Sequence, residues 1–280
     1  MKILKNINET VKFLRTEKMS GKSIGIVPTM GYLHEGHLSL IQTAKKNNDI
    51  VIVSVFVNPT QFGPGEDLDK YPRDLEQDCI KAESAGADIL FCPSASEIYP
   101  DGYHTYVSVE KLGDNLCGNS RPGHFRGVAT IVAKLFNISG ADNAYFGQKD
   151  AQQFFILRRM AADLNMDIRL HICPIIREPD GLAMSSRNVY LTRDQRREAV
   201  ILSEALAGAK ALIEAGERNA AVVISEMNKI VNKSELAKVE YIKVVDTETL
   251  SDAEYIDKNL IALAVCFGST RLIDNIIIEV

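Results

Sequence analysis

Residues 24–41 read Ile-Gly-Ile-Val-Pro-Thr-Met-Gly-Tyr-Leu-His-Glu-Gly-His-Leu-Ser-Leu-Ile. A short apolar run ends in Pro28, passes through a turn that contains two glycines, and opens into a helical pattern. This order of strand, glycine turn and helix N-terminus is typical of phosphate binding, because free backbone N–H groups and the positive end of the helix dipole point at the anion. His34 and His37 are three residues apart, so we expect both imidazoles on one face of the first helical turn, where they can contact the same phosphate.

Two other interpretations of this stretch stay open. Histidines at i and i+3 can share a metal ion, although no further cluster of metal-binding side chains follows nearby. Alternatively, the stretch is a capped surface turn whose histidines are incidental, because glycine-rich turns before helices are common.

The composition sets limits on the class of protein. A chain of 280 residues with 46% hydrophobic residues predicts one large and one small packed domain. Its net charge of −5 argues against an electrostatic nucleic-acid binder. The five cysteines form no CxxC pair and no closed disulfide set, which indicates a reduced, cytoplasmic protein. We expect no secretory signal and no membrane span, because no apolar run is long enough.

The first part of the chain alternates between strand and helix patterns. The segment at 49–57 is nearly all apolar and β-branched, which is typical of a strand covered on both faces. Such alternation predicts an α/β fold with a doubly wound parallel sheet. The predicted strands are 24–27, 49–57, 88–92, 143–146 and 168–173, with an optional short strand at 106–109, and the predicted helices are 8–18, 37–47, 73–85, 128–137 and 151–164.

The pattern changes near residue 176. An irregular linker is predicted at 175–188, followed by a long helix at 193–215. Strands predicted at 239–245, 260–267 and 275–280 complete a smaller α+β domain. We therefore predict a Rossmann-like domain at 1–176 and a C-terminal domain at 177–280.

Four loops are expected to meet at one edge of the predicted sheet. They cover residues 30–37, 58–61, 147–153 and 184–187, and in a parallel sheet the loops after strands share one edge. The cleft between them would contain few acids and many donors, which suits a triphosphate. These donors are two neutral imidazoles, the Lys149 ammonium, the Arg187 guanidinium, the Ser185 and Ser186 hydroxyls, and helix-start amides.

Each of these residues also has a simpler interpretation. Lys149 beside Asp150 could form an exposed ion pair of little value to stability, and residues 185–188 could be a plain polar linker. We interpret His124 as a solvated loop residue, and His104 and His171 as structural. The motifs of α/β hydrolases and P-loop proteins are missing, and the glycines do not form a dinucleotide fingerprint.

Motifs along most of the chain point to one family. The stretch PTMGYLHEGH contains the H-x-G-H signature of the nucleotidylyltransferase superfamily, and MSSRN resembles its mobile second phosphate-binding motif. The complete set resembles the pantothenate synthetase (pantoate–β-alanine ligase) family, with no departure at the motif positions. The motifs are PTMGYLHEGH at 28–37, SVFVNPTQF at 54–62, YPRD at 71–74, RPGHFRGV at 121–128, YFGQKDAQQ at 145–153, MSSRN at 184–188 and RLIDN at 271–275.

The resemblance implies an ATP-dependent ligase that forms an amide in two steps through a pantoyl adenylate, releasing pyrophosphate and then AMP. It implies that His37 is the proton donor, that His34 contacts phosphate, and that Lys149 and Arg187 are also catalytic. Gln61 and Gln153 would bind pantoate, and Gln61 would also contact β-alanine. The implied ATP-binding residues are Met30, Gly31, Tyr32, Leu33, His34, Glu35, Gly36, His37, Gly147, Gln148, Lys149, Asp150, Ile176, Met184, Ser185, Ser186 and Arg187.

Mg²⁺ would accompany the triphosphate, although its ligands are not indicated, and a homodimer is a family expectation. We also expect the small domain and the 184–188 segment to act as a lid that excludes water from the acyl adenylate. Two rival functions stay open: a nucleotidylyltransferase that acts on a phosphorylated acceptor, and a non-catalytic nucleotide sensor on the same fold.

Overall fold

The computed structural model describes residues 1–280 and contains two β-sheets. The strands are β1 (Lys2–Leu4), β2 (Ile24–Thr29), β3 (Ile50–Val55), β4 (Ile89–Phe91), β5 (Asn143–Gly147), β6 (Arg169–Cys173), β7 (Ala237–Asp246), β8 (Lys258–Phe267) and β9 (Thr270–Glu279). The helices are α1 (Ile7–Met19), α2 (Glu35–Asn47), α3 (Leu75–Ser84), α4 (Ala95–Ile98), α5 (Cys117–Ser120), α6 (His124–Ser139), α7 (Ala151–Asp163), α8 (Arg193–Glu198), α9 (Ile201–Glu214) and α10 (Ala220–Val231). Three 3₁₀ turns lie at Pro59–Gln61, Gln148–Asp150 and Ser186–Tyr190.

The large sheet is parallel throughout, in the order β1-β4-β3-β2-β5-β6. Its central strands are buried on both faces, as their β-branched composition predicts. Helices α1, α6 and α7 cover one face, and α2 and α3 cover the other. The predicted doubly wound sheet is confirmed.

The strand order places a switch point between β2 and β5. From β2 the chain proceeds outward through β3 and β4, and it returns to form β5 on the other side of β2. Because Ile26 pairs with Ala144, the carboxyl ends of the two strands lie at the same height. Ligands bind at such a crevice in open α/β sheets, and the loops that follow these strands contain His34, His37 and Lys149.

The small C-terminal domain is an antiparallel sheet in the order β7-β8-β9, covered by α9 and α10. The predicted α+β architecture is confirmed. One face of this sheet has its own apolar core, whereas Val245, Leu250, Leu260 and Ala262 belong to the main core of the large domain. The two sheets therefore share buried surface, and the division at 176/177 into separate units stays a prediction.

Several sequence expectations were wrong. Residues 106–109 form no strand, because the Val107 amide donates to the Thr130 side chain instead of to a neighbouring strand. Helix α6 begins at His124, four residues before the predicted start, after Gly123 with φ of 82°. The predicted long helix at 193–215 is two helices, broken at residues 199–200.

Four further elements were not predicted: strand β1, the four-residue helices α4 and α5, and helix α10. Strand β1 has only three residues, too few for a periodic signal. Helix α10 did carry a signal, because Asn219 caps its N-terminus and Val223, Met227 and Val231 are buried at helical spacing.

The linker is more regular than expected. The Glu178 amide donates to the Leu182 carbonyl over 2.8 Å, and the Met184 amide donates to the Ile176 carbonyl over 3.0 Å. Residues 176–184 thus form a short hairpin, and the 3₁₀ turn at 186–190 follows it.

None of the helices combines the length and apolar character needed to cross a lipid bilayer.

Candidate active site

The turn between β2 and α2 is fixed by helix α3. Gly31 and Tyr32 have positive φ angles of 84° and 52°, and the next residues enter the helix. The buried Asp78 carboxylate accepts the Tyr32 and Leu33 amides over 2.9 and 2.7 Å, and the Lys81 ammonium donates to the Leu33 carbonyl over 2.7 Å. Burial raises the pKa of Asp78, although these backbone donors oppose the shift. Sequence reasoning missed both α3 residues, because the contact spans some 45 positions and leaves no local signal.

The two motif histidines are each held in one tautomer. His34 is the N-cap of α2, and its Nδ1 accepts the Gly36 amide over 3.2 Å. The Nδ1 of His37 accepts the His34 amide over 3.3 Å, which completes a capping box. Both rings therefore carry their proton on Nε2. The ring centroids lie 4.1 Å apart, as the i, i+3 spacing predicted.

Both imidazoles are neutral at pH 7. Burial, assisted by the Lys149 charge, lowers the pKa of His34 to about 4. Burial and the neighbouring His34 lower the pKa of His37 well below its ordinary value. Two neutral Nε2–H groups can each donate a hydrogen bond to an anion without adding charge, which agrees with the neutral imidazoles expected from the sequence.

A cavity of about 210 Å³ opens beside these rings, and the predicted loops meet there. Lys149 and Arg187, which lie far apart in the chain, line the same cavity as His34 and His37. The sequence-predicted site residues in its wall are Met30, His34, Gly36, His37, Gln61, Gly147, Lys149, Asp150, Gln153, Ile176, Met184, Ser185, Ser186 and Arg187.

Five residues implied by the resemblance lie outside this wall. They are Gly31, Tyr32, Leu33, Glu35 and Gln148. The Leu33 side chain is buried in the core beneath α2, and Glu35 is exposed. The backbone of these residues still shapes the turns, so their assignment to ATP stays a prediction.

Lys149 lies at the start of helix α7, on the 3₁₀ turn that follows β5. Its ammonium is 3.3 Å from both carboxylate oxygens of Asp150, so the ion pair considered from the sequence does exist. The Lys149 side chain is nevertheless only 22% exposed and faces the cavity. Its charge therefore acts together with the positive end of the α7 dipole.

Gln61 is fixed by a buried asparagine that the sequence analysis did not single out. The Asn58 side-chain amide donates to Gln61 Oε1 over 3.0 Å and to the Gly127 carbonyl over 3.2 Å. Gln61 Nε2 lies 3.2 Å from the Met30 sulfur at the cavity wall. The same cavity has an apolar part of its wall, formed by Leu40, Phe56, Phe62, Val128, Ile131, Val132, Leu135 and Phe146.

The expectation that His124 is a solvated loop residue was wrong. The Arg121 guanidinium lies 3.0 Å from His124 Nε2, so the ring proton is on Nδ1, which donates to the Gln61 carbonyl over 2.8 Å. Burial and the Arg121 charge lower the pKa of His124 to about 4. In contrast, His171 is structural as expected, stacked on Tyr145 and bonded to Asn143.

A wider cleft of about 780 Å³ adjoins the cavity and lies between the two domains. The two spaces share Arg121, His124, Lys149, Asp150, Gln153, Ser185 and Arg187. The cavity where the four loops meet has Asp150 as its one acidic residue, in agreement with the expectation of few acids. The wider cleft contains more acids, because Glu66 binds Arg121 and Glu240 binds Arg271 there.

Arg187 contacts an acid from the large domain. Its guanidinium binds the Asp67 carboxylate through two hydrogen bonds of 3.0 and 2.9 Å. Although burial acts in the opposite direction, this guanidinium lowers the pKa of Asp67. The pair ties the 62–72 loop to the 184–188 segment in the wall of the wider cleft.

No group of three or more His, Cys, Asp or Glu side chains is arranged to hold a metal ion. The five cysteines are free thiols.

Comparison with known proteins shows relatives along the full length. A sequence model of the pantoate-beta-alanine ligase family matches residues 2–277. The pantothenate synthetase of Acetivibrio thermocellus is 54% identical over 281 residues, with all of both chains covered. That of Thermosipho africanus is 56% identical over 279 residues, which cover 99% of this chain and all of its own.

Solved structures show the same fold. The pantothenate synthetase of Thermus thermophilus superposes with a TM-score of 0.95 at 41% identity, over the whole of both chains. The pantoate-beta-alanine ligase of Francisella tularensis, crystallised with "Beta-gamma ATP" and β-alanine, has a TM-score of 0.80 at 37% identity and covers 99% of this chain and 97% of its own.

Proposed function

The chain belongs to the pantoate–β-alanine ligase family, and from this premise we propose how its cavity performs the family reaction. The protein is an ATP-dependent pantothenate synthetase, which condenses pantoate with β-alanine. The observation that supports the placement of this reaction is the meeting of His34, His37, Lys149 and Arg187 around one cavity that also contains Gln61 and Gln153.

The polar end of the cavity binds the triphosphate. Two neutral Nε2–H donors, the Lys149 ammonium and the uncapped amides at the start of α7 are available there. Ser185, Ser186 and Arg187 line the same cavity. Such donors stabilise the charge that grows on phosphorus oxygens in the transition state, and the loss of one typically costs about 10²–10³-fold in rate.

The apolar end of the cavity binds pantoate. Pantoate is a hydroxy acid with two methyl groups on one carbon, so it needs an apolar wall beside amide donors and acceptors. Helix α6 supplies that wall, and Gln61 and Gln153 supply amides without adding charge. The Asn58 contact fixes the Gln61 amide before the substrate arrives, which favours in-line attack.

The reaction then takes two steps. A pantoate carboxylate oxygen attacks the α-phosphorus, the bond to the bridging oxygen breaks, and pyrophosphate leaves. The β-alanine amine next attacks the acyl carbon, the acyl–oxygen bond breaks, and AMP leaves. The carboxylate and the phosphate repel each other, so the Lys149 and Arg187 charges must neutralise the site before the first step.

Mg²⁺ is proposed to enter with the triphosphate, since no preformed cluster of ligands awaits it and phosphate oxygens and water supply most ligands of this ion. Bound there, it would neutralise phosphate charge. We further propose a cytoplasmic location, which the free thiols support, and a homodimer, which rests on family membership and is tested by light scattering.

The decisive experiment is an omission assay with ATP, pantoate and β-alanine. We expect pyrophosphate from ATP and pantoate alone, and AMP only when all three are present. A nucleotidylyltransferase would require a phosphorylated acceptor and no amine, and a nucleotide sensor would bind ATP without turnover. Pyrophosphate that depends on a phosphorylated acceptor would therefore overturn the proposal.

A further inference from the structure

The RLIDN motif at 271–275 has no part in the reaction described so far, and its last residue reaches the catalytic turn. Asn275 lies on β9 of the small sheet and is only 3% exposed. Its side-chain amide donates to the Gln148 carbonyl over 2.9 Å and to the Lys149 carbonyl over 3.0 Å. One side chain of the small domain thus binds two successive carbonyl groups of the turn that contains Lys149.

Gln148 completes this contact from the other side. Its Nε2 donates to Asn275 Oδ1 over 3.3 Å, while the Asn275 side-chain amide donates to the Gln148 backbone carbonyl. The Gln148 side chain is therefore directed at the small domain, which explains why it is absent from the cavity wall.

A buried ion pair braces Asn275 from behind. The Asp274 carboxylate, only 1% exposed, binds the Arg177 guanidinium over 2.6 and 3.0 Å and also accepts the Asn275 backbone amide over 2.8 Å. Arg177 lies on the 176–184 hairpin and donates to the Gly181 carbonyl as well. The Asp274 carboxylate is buried while the Arg177 side chain is 29% exposed, so loss of Arg177 would leave a buried charge without its partner, which is destabilising.

We propose that Asn275 is a positioning residue, which sets the direction of Lys149 toward the triphosphate; this rests on the proposed function. Lysine has a flexible stem, so its charge is useful only where the backbone beneath it is fixed. Asn275 fixes that backbone through its two carbonyls. Because the Gln148 and Lys149 carbonyl oxygens accept hydrogen bonds from the asparagine amide, they repel an anion in the cavity less. The small domain thereby acts on a large-domain cation through the backbone beneath it.

The first test replaces Asn275 with Asp, which keeps the shape but has no amide donor. The matched control is Asn259→Asp on β8, because Asn259 is equally buried and also donates to a backbone carbonyl, that of Val245, away from the cavity. We expect Asn275→Asp to lower kcat/KM for ATP in pyrophosphate formation about 10- to 30-fold, and Asn259→Asp to change it less than about twofold. Equal losses in the two variants would overturn the proposal.

The second test is a double-mutant cycle with Lys149→Ala. If Asn275 acts through Lys149, Asn275→Asp costs less than about threefold once Lys149 is gone, because nothing remains to be positioned. A loss of the same factor in both backgrounds would show that Asn275 acts by another route and would overturn the proposal.

Hydrogen exchange gives a readout that does not require activity. Asn275→Ser leaves space for water, so it serves if the aspartate variant does not fold. We expect amide exchange in residues 147–151 to accelerate at least about tenfold in Asn275→Ser, and to stay unchanged in Asn259→Ser. If the wild type forms no pyrophosphate, the proposed function fails while this comparison still decides whether the anchor exists. Unchanged exchange in Asn275→Ser would overturn the proposal.

Discussion

At the scale of the residue, the tautomers of two histidines decide what the site can do. His34 and His37 each use their Nδ1 lone pair to accept a backbone amide of the first turn of α2. The capping box therefore fixes the rings, and burial keeps them uncharged. The sequence predicted the positions of both rings from their spacing. It did not predict the tautomers, because these depend on cap geometry within tenths of an ångström.

Stability should fall as the pH is lowered from about 6.5 to about 4. His34 and His124 have pKa values of about 4 in the folded protein, below the value of an unfolded histidine. The unfolded chain thus binds more protons in this window, and the free energy of unfolding decreases by about 1–2 kcal/mol per histidine after allowance for solvent screening. Urea unfolding of wild type and His34→Asn, which retains an N-cap acceptor, measures this. Identical slopes against pH in the two proteins would contradict the assignment.

His37→Ala should slow pyrophosphate formation about 10²–10³-fold, because one donor to the triphosphate disappears. Single-turnover rates with ATP and pantoate measure the effect, and thermal unfolding checks that the variant is folded. His171→Asn is the control, since that ring stacks on Tyr145 outside the cavity. An unchanged rate in His37→Ala would remove this residue from the mechanism.

At the scale of the element, helix α6 and the 59–61 turn approach each other closely. A methyl group added at Gly127 would lie 2.3 Å from the Thr60 carbonyl oxygen, so only glycine fits this contact. The contact brings Asn58, Gln61 and the apolar wall of α6 together. The sequence predicts a loop at 121–127, so it does not predict that the RPGHFRGV motif starts helix α6 and lines the cavity through His124 and Val128.

Gly127→Ala should raise the KM for pantoate about tenfold or more and change the KM for ATP far less. The added methyl must push the 59–61 turn away, at a cost of about 1–3 kcal/mol in stability. Gly113→Ala is the matched control, because its new methyl would meet the nearest atom at an ordinary 3.6 Å. Steady-state kinetics of both variants measure these KM values. An equal rise in the KM for pantoate and the KM for ATP in Gly127→Ala would contradict a local effect.

The central strands could be predicted from the sequence, whereas the long-range contacts of helix α3 could not. Buried β-branched runs identified the central strands, because their composition alone distinguishes strands covered on both faces. Asp78 and Lys81 were not recognised, because a carboxylate that holds two amides 45 residues away looks like any exposed helix residue. The acidic partners of Arg121, Arg187 and Arg271 were not predicted either, because each lies far away in the sequence.

At the scale of the whole molecule, Arg187 connects the segment after the linker to the large domain. Its two hydrogen bonds to Asp67 occupy the groups that a phosphate would need. If Arg187 binds the triphosphate as proposed, the triphosphate must compete with the Asp67 carboxylate for this guanidinium. The Arg187–Asp67 ion pair must break before the 184–188 segment can bind phosphate through Arg187. Closure of this segment as a lid stays a prediction.

Asp67→Asn should tighten ATP binding about three- to tenfold, because a half-buried ion pair worth about 1 kcal/mol no longer opposes it. Isothermal titration calorimetry with ATP measures the dissociation constant. Asp69→Asn is the control, since that nearby carboxylate lines the same cleft without forming an ion pair. Equal affinity in wild type and Asp67→Asn would show that the carboxylate does not compete.

The apolar contacts of Val245, Leu250, Leu260 and Ala262 with the large domain have a practical consequence. If a protease nicks the 176–184 hairpin, the fragments should stay together: one peak on gel filtration, two bands after denaturing electrophoresis. Calorimetry of the intact chain should likewise show a single endotherm. Either half expressed alone would expose a large apolar surface and should precipitate unless the other half is co-expressed.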